Sequence, residues 1–208
     1  MIFGLDHIAI NSVNIEACHQ ILLGLGYYRS FAETVENSIH KKPLLNEYHK
    51  SHLLSYYLSE SGNMPIELTQ HGNKNPNVIN SPLKINKNQI IISTCDVKSE
   101  ILFWSQLLNY AVDKNQNIKF KSILKNRSFN LSFSESSHKY EKYNLDIEGC
   151  TCIALLVNKL DYKIEKLKQK FDTIISGPWF SIVNNKKMKI AMLRTPGNVI
   201  VELIQIGD

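Results

Sequence analysis

The side chains best suited to chemistry in this sequence are an imidazole, two carboxylates and a thiol, each set in an otherwise apolar run. His7 lies in Asp6-His7-Ile8-Ala9-Ile10, Glu67 in Ile66-Glu67-Leu68, Cys152 in Cys152-Ile153-Ala154-Leu155, and Glu202 in Val201-Glu202-Leu203. A carboxylate taken out of water is costly unless it is paired, hydrogen-bonded or bound to a metal, so Glu67 and Glu202 both call for a partner. One imidazole with two carboxylates suits a divalent cation such as Zn, Fe, Mn, Co or Ni, leaving coordination positions open for the oxygens of a small ligand. Taken singly, each residue also has a plainer reading, as a strand carboxylate turned to solvent or a histidine satisfied by its neighbours.

The elements that must position these residues repeat. Three times the chain runs from a short apolar strand into an amphipathic helix and then into further strands, which predicts an α+β fold of βαβββ modules, three copies with a degenerate middle one. The expected units are 1–72, 83–135 and 148–208. The first passes Asn11, Ser12 and Asn14 as helix caps, places Ile15, Cys18, Ile21, Leu22 and Leu25 on one helical face, stops at Gly26, and closes on Ile66 to Gln70 after a polar insertion over 41–50. A Pro- and Asn-rich link over 73–82 precedes the second, whose opening strand starts at Gln89, whose helix is capped by Asp96, and whose closing strand holds Asn130. The third opens at Cys152, enters a helix capped by Asn158 or Asp161, and ends in two runs joined by Thr195-Pro196-Gly197-Asn198. Strand alternation puts His7 with Ala9, Glu67 with Thr69, Cys152 with Ala154 and Glu202 with Ile204. With the branched residues under the helices, His7, Glu67, Cys152 and Glu202 face one concave side, where Ala9 and Ala154 leave room.

Bulk properties narrow the function classes. The 208 residues carry a net charge of +5, most of it on scattered lysines without interleaved aromatics, which argues against nucleic-acid binding. No apolar run approaches the roughly 20 residues of a membrane span, and the first residues resemble no targeting leader, so a soluble, cytoplasmic protein is expected. Cys18, Cys95, Cys150 and Cys152 are spaced unlike a disulfide scaffold, and reduced thiols are expected.

Leu5-Asp6-His7-Ile8-Ala9-Ile10, Ile66-Glu67-Leu68 and Thr195-Pro196-Gly197-Asn198-Val199-Ile200-Val201-Glu202-Leu203 resemble the metal-bearing strands of the vicinal oxygen chelate superfamily, most closely its methylmalonyl-CoA epimerase-like members. The resemblance implies paired βαβββ modules lining one cup. It makes His7, Glu67 and Glu202 metal ligands, with Glu67 or Glu202 also the catalytic base. At the opening of the last module the family has a second histidine where this chain has Cys152, which reads either as a thiolate ligand favouring Zn or as a buried core thiol. Gln89 and Asn130 replace His and Glu in the middle copy. An odd number of modules would be completed by a second chain, hence a homodimer as one expectation.

Two function classes follow. One is a metal-dependent isomerase, epimerase or lyase acting on a small carbonyl or acyl compound by stabilising an enolate or oxyanion. The other is a non-catalytic small-molecule-binding protein of the bleomycin-resistance type. His19, His40, His49, His52, His71 and His138 are expected at the surface, with His71 near enough to Glu67 to matter. Tyr56 and Tyr57 line the cup or fill a strand.

Overall fold

The computed structural model describes residues 1–72, 81–86, 88–121, 128–140, 143–173 and 175–207. Most of the expected link, 73–80, lies outside them. Strands and helices follow as β1 (Ile2–Asn11), α1 (Ile15–Gly24), β2 (Tyr27–Glu36), a 3-10 turn (Ile39–Leu44), β3 (Ser51–Ser59), β4 (Ile66–Gln70), β5 (Leu83–Asn86), β6 (Gln89–Thr94), α2 (Val97–Leu108), β7 (Ile118–Lys121), β8 (Ser128–Glu135), β9 (Gly149–Val157), α3 (Leu160–Lys168), β10 (Ile175–Val183), β11 (Lys186–Arg194) and β12 (Ile200–Ile206).

Two complete βαβββ modules make one eight-stranded sheet in the order β10-β11-β12-β9-β1-β4-β3-β2. Within each, the opening strand lies parallel to the closing one, β1 to β4 and β9 to β12, while the two opening strands join the modules antiparallel. Alternation does the sorting. Ile8, Ile153, Leu155, Val201 and Leu203 point back into the large core with the helices, while Ala9, Cys152 and Ile200 fall in a second cluster on the other face.

The middle unit, expected as a degenerate second copy, is a reduced module. Its sheet, β5-β6-β8-β7, has the parallel β6–β8 pair of a module but only two strands after α2, with β5 added antiparallel on the free edge of β6. Among the described residues there are therefore two full modules and a βαββ unit. The register also shifts one expected position: with Gln89 at the opening, Ile91 two residues on pairs with Ser132, so Ser132 rather than Asn130 takes the closing place, and the Gln89 amide donates to its hydroxyl at 3.0 Å.

This unit backs the large sheet. Ile90, Phe103, Trp104, Phe120 and Phe129 share one core with Leu5 and Leu155. Glu100 of α2, fully buried, accepts from Trp104 Nε1 at 2.8 Å and from the Gly197 amide at 2.6 Å, clamping the turn that leads into β12. A Cβ at Gly197 would stand 2.9 Å from Thr94 Oγ1 and 3.0 Å from Glu100 Oε2, so only glycine allows that approach.

Local signals hold unevenly. Asn14 and Asp96 cap α1 and α2 through Ala17 and Ser99 amides, but neither Asn158 nor Asp161 caps α3. Asn158 Oδ1 accepts from the Met1 amine, and Gln205 Oε1 takes the Leu160 amide at 2.8 Å, so a long-range acceptor replaces the local cap. On α1, Ile21 and Leu25 are exposed; apolar residues run around more of this ten-residue helix than one stripe can bury, and Leu22 takes the core position. Among the described residues no helix is long and apolar enough to cross a membrane.

Candidate functional site

His7, Glu67 and Glu202 come together on the concave face. Across β4, β1, β9 and β12 the register pairs Glu67 with Ala9, His7 with Ala154, Ala9 with Cys152, and Ala154 with Glu202. This is an internal two-fold relation in which His7 matches Cys152, Ala9 matches Ala154 and Glu67 matches Glu202. The alanines remove bulk between the donors, so side chains from non-adjacent strands meet. His7 Nε2 stands 3.5 Å from Glu67 Oε2 and 3.8 Å from Glu202 Oε2.

His7 is buried, and its Nε2 has no hydrogen-bond partner. The other ring nitrogen, Nδ1, lies 2.7 Å from Asp6 Oδ2. Strict alternation would send adjacent Asp6 to the opposite face, but a register shift between Leu5 and His7 turns it toward the imidazole. Tyr56 crosses His7 edge-on at 5.7 Å and donates to the Asp6 carbonyl at 3.1 Å, fixing the ring from the side.

Charge decides the protonation in the metal-free site. Burial alone would lower the His7 pKa, yet Glu67, Asp6 and Glu202 outweigh it and push it up to about 9. Burial, then Glu67, pushes Glu202 up to about 7, against the pull of His7 and Lys41. A proton shared among these groups thus does the neutralising that a cation would otherwise do.

Cys152 is fully buried and is not among the residues that line the cavity with this trio. Its side chain is sealed in the second apolar cluster with Ala9, Leu44, Leu145, Met192 and Ile200, and burial first, then Glu202 and Glu67, pushes the thiol well above its ordinary value. Among the described residues no group of three or more His, Cys, Asp or Glu side chains is arranged so that it could hold a metal ion as it stands. Donors about 2.1 Å from a tetrahedral ion stand roughly 3.4 Å apart, so the two His7 separations need little closing. The unpartnered Nε2, the carboxylate behind Nδ1 and the facing oxygens fit a divalent cation in donor type.

The trio lies in a cavity of about 350 Å³ walled by both full modules, and none of its lining residues comes from the middle unit. Several were not apparent in the sequence. Lys41 enters from the polar insertion, a position without periodic pattern. His52, expected at the surface, lines the cavity because alternation along β3 from Tyr56 carries it to the concave side. His71, also expected at the surface, is buried just past the end of β4 and stacks on His52 at 4.4 Å. Their neighbouring polar residues concealed that. Tyr56 lines the cavity, whereas Tyr57 points into the core and bonds His19 Nδ1 at 2.9 Å. His40 stacks on Trp179.

No known protein-family profile matches the sequence, and no curated protein matches it. Solved structures do. Methylmalonyl-CoA epimerase from Mycobacterium tuberculosis is 13% identical, with 100% of this chain and 90% of that one covered at a TM-score of 0.48. Glyoxalase I from Zea mays is 13% identical over 97% of this chain and 67% of its own, at 0.40. An integron cassette protein from V. Cholerae is 13% identical over 59% of this chain and 96% of its own, also at 0.40. By its own strand order and register, this chain has a paired βαβββ architecture.

Proposed function

We propose that the cup binds a divalent metal ion through His7, Glu67 and Glu202 and that the protein is a metal-dependent isomerase, epimerase or lyase for a small carbonyl or acyl compound. The observation that carries this reading is His7 Nε2: buried, without a partner, aimed between two carboxylates from equivalent strands, and backed by Asp6 on its other nitrogen. Leaving such an atom unsatisfied costs about 1–3 kcal/mol, which binding a ligand there would recover.

A bound ion would polarise a substrate oxygen. The chain's own residues supply the rest. Asp6 and Tyr56 hold the imidazole in one orientation, and the apolar walls keep water from the trio. Glu202, with a carboxyl near neutrality in the metal-free site, can hold or release a proton beside the ligand; Glu67, across the internal two-fold, is the alternative base. Cys152 is a core thiol in this reading rather than a ligand. The proteins named above as an epimerase and a glyoxalase agree in reaction class with this proposal.

A second reading, a binding protein without chemistry, is favoured by one observation: the fourth position of the two-fold, Cys152, offers no available donor. Metal analysis and zinc titration of the purified protein beside His7→Ala and Glu202→Ala test the proposal. Stoichiometric metal in the wild type, lost in both variants, is expected; metal that survives both changes would sink it. Exchange of solvent deuterium into an α-acidic acyl substrate then separates catalysis from mere binding.

A further inference from the structure

The cup contains a positive charge that acts on Glu202 from a distance but forms no ion pair with the trio. Lys41 lines the same cavity as His7, Glu67 and Glu202, is half-buried, and has no carboxylate within ion-pair distance among the described residues. Its backbone is fixed. The strap over 38–48 starts at Ser38, which takes the Lys41 amide on its carbonyl at 2.9 Å. It is then tied to the opposite module: His40 stacks on Trp179 and its carbonyl accepts from Ser176, while Leu44 is buried and its carbonyl takes the Leu145 amide at 2.9 Å. Asp146 accepts from the amides of Asn46 and Glu47. Lys41 therefore has its Cα pinned from both sides while its ammonium remains available.

We infer that Lys41 is the anion-binding arm of the cup, and that the natural ligand is a small carboxylate bearing an apolar body. The inference rests on the metal reading for its charge balance. A divalent ion between Glu67 and Glu202 would offset both carboxylates; of the other two in the lining, Asp6 is engaged by His7 Nδ1 and Glu36 is exposed. Lys41 is thus left without an ion-pair partner in a partly desolvated wall, where an ammonium–carboxylate contact is worth more than in water. Phe31, Leu54, Leu58, Trp179 and Ile190 supply apolar surface for the rest of the molecule. Lys186, the other lysine of the lining, is exposed at the rim.

The test uses hexanoate as probe and hexanamide as its uncharged counterpart, titrated at neutral pH into zinc-loaded wild type, Lys41→Met and Lys41→Arg. Hexanoate is expected to bind about ten-fold more weakly to Lys41→Met and near wild-type strength to Lys41→Arg, while hexanamide binds all three alike and zinc affinity is unchanged. Equal hexanoate affinity in wild type and Lys41→Met, hexanamide binding as tightly as hexanoate, or no saturable hexanoate binding would overturn the inference. A Glu67→Gln, Glu202→Gln double variant, tested without metal, separates it from the proposed function. There the carboxylates are already neutral, and hexanoate should still bind through Lys41. If wild type takes no zinc but this variant binds hexanoate and loses it on adding Lys41→Met, the metal reading falls and the role of Lys41 stands. If zinc binds and hexanoate ignores Lys41 in both backgrounds, only the role of Lys41 falls.

Discussion

The two halves of the cup share a backbone plan and differ in what they do with it. In the first module the two-fold set is His7, Ala9 and Glu67, with Tyr56 paired beside the glutamate; in the last it is Cys152, Ala154 and Glu202, with Met192 in the place of Tyr56. Both glutamates persist, but the half with an imidazole also has Asp6 to orient it and a phenol to brace it, whereas the other half has a thiol and a thioether sealed beneath Leu44 and Leu145. The difference teaches that a repeated scaffold needs its donors only where they can converge. Glu202 reaches across to His7 instead of having a histidine of its own.

The sharpest test of that asymmetry compares His7→Ala with Cys152→Ala. The first should lower zinc affinity by at least about a hundred-fold, and the second should leave it within about two-fold, read by calorimetric titration. Comparable losses would mean that the halves contribute equally. Leu44→Ala, which opens the seal over Cys152, is expected to cost about 2–4 kcal/mol in urea unfolding and to raise thiol labelling of Cys152. Unchanged labelling would show that the strap does not close that side. Asp6→Asn should weaken zinc binding by about ten-fold or more with little loss of stability, since it removes the orienting carboxylate and not a donor.

A pH slope also distinguishes the halves. Burial, then Lys41 and His49, holds His71 down to about 3. The unfolded chain therefore takes up this proton first, and the stability present above about pH 6.5 is lost as pH falls toward 3, by at most ~1.4 kcal/mol per pH unit. Glu202 runs the other way. Its raised carboxyl keeps a proton that the unfolded chain has released, so its contribution is full below about pH 4.5 and fades as pH rises through 7. His7 adds a decline in the same sense from about pH 6.5 through 9. Unfolding of metal-free protein across this range should lose part of its acid limb in His71→Asn, the rest belonging to His52, which burial, then Lys41 and His71, holds well below its ordinary value. It should flatten between about pH 4.5 and 7 in Glu202→Gln; identical profiles would contradict both assignments.

Much of the plan was legible in the sequence, because period-two alternation is a local property. It placed His7, Glu67, Cys152 and Glu202 on one face, and the strand–helix–strand order announced the modules. What it missed depends on contacts between distant segments. A bulge turns Asp6 to the side opposite the one alternation assigns. Lys41 sits in a polar stretch whose position is set by Trp179, Ser176 and Leu145, all more than a hundred residues away. β10, interrupted by Gly177 and Pro178, breaks the apolar alternation on which strand recognition relies, and its register is irregular at that point. Similarly, β5 and β7 are four residues each, too short for a periodic signal.

The unlike pair His7 and Cys152 also has a stereochemical consequence. A cup with true two-fold symmetry would accept a small ligand in two equivalent poses and present either of its faces to the same carboxylate. Here one half of the lining offers Phe31, Tyr56 and Lys41 and the other Trp179, Met188 and Ile190, with an imidazole from the first half alone. The two poses therefore meet different walls, and it is the side chains, not the backbone plan, that would tell a small ligand from its turned-over self.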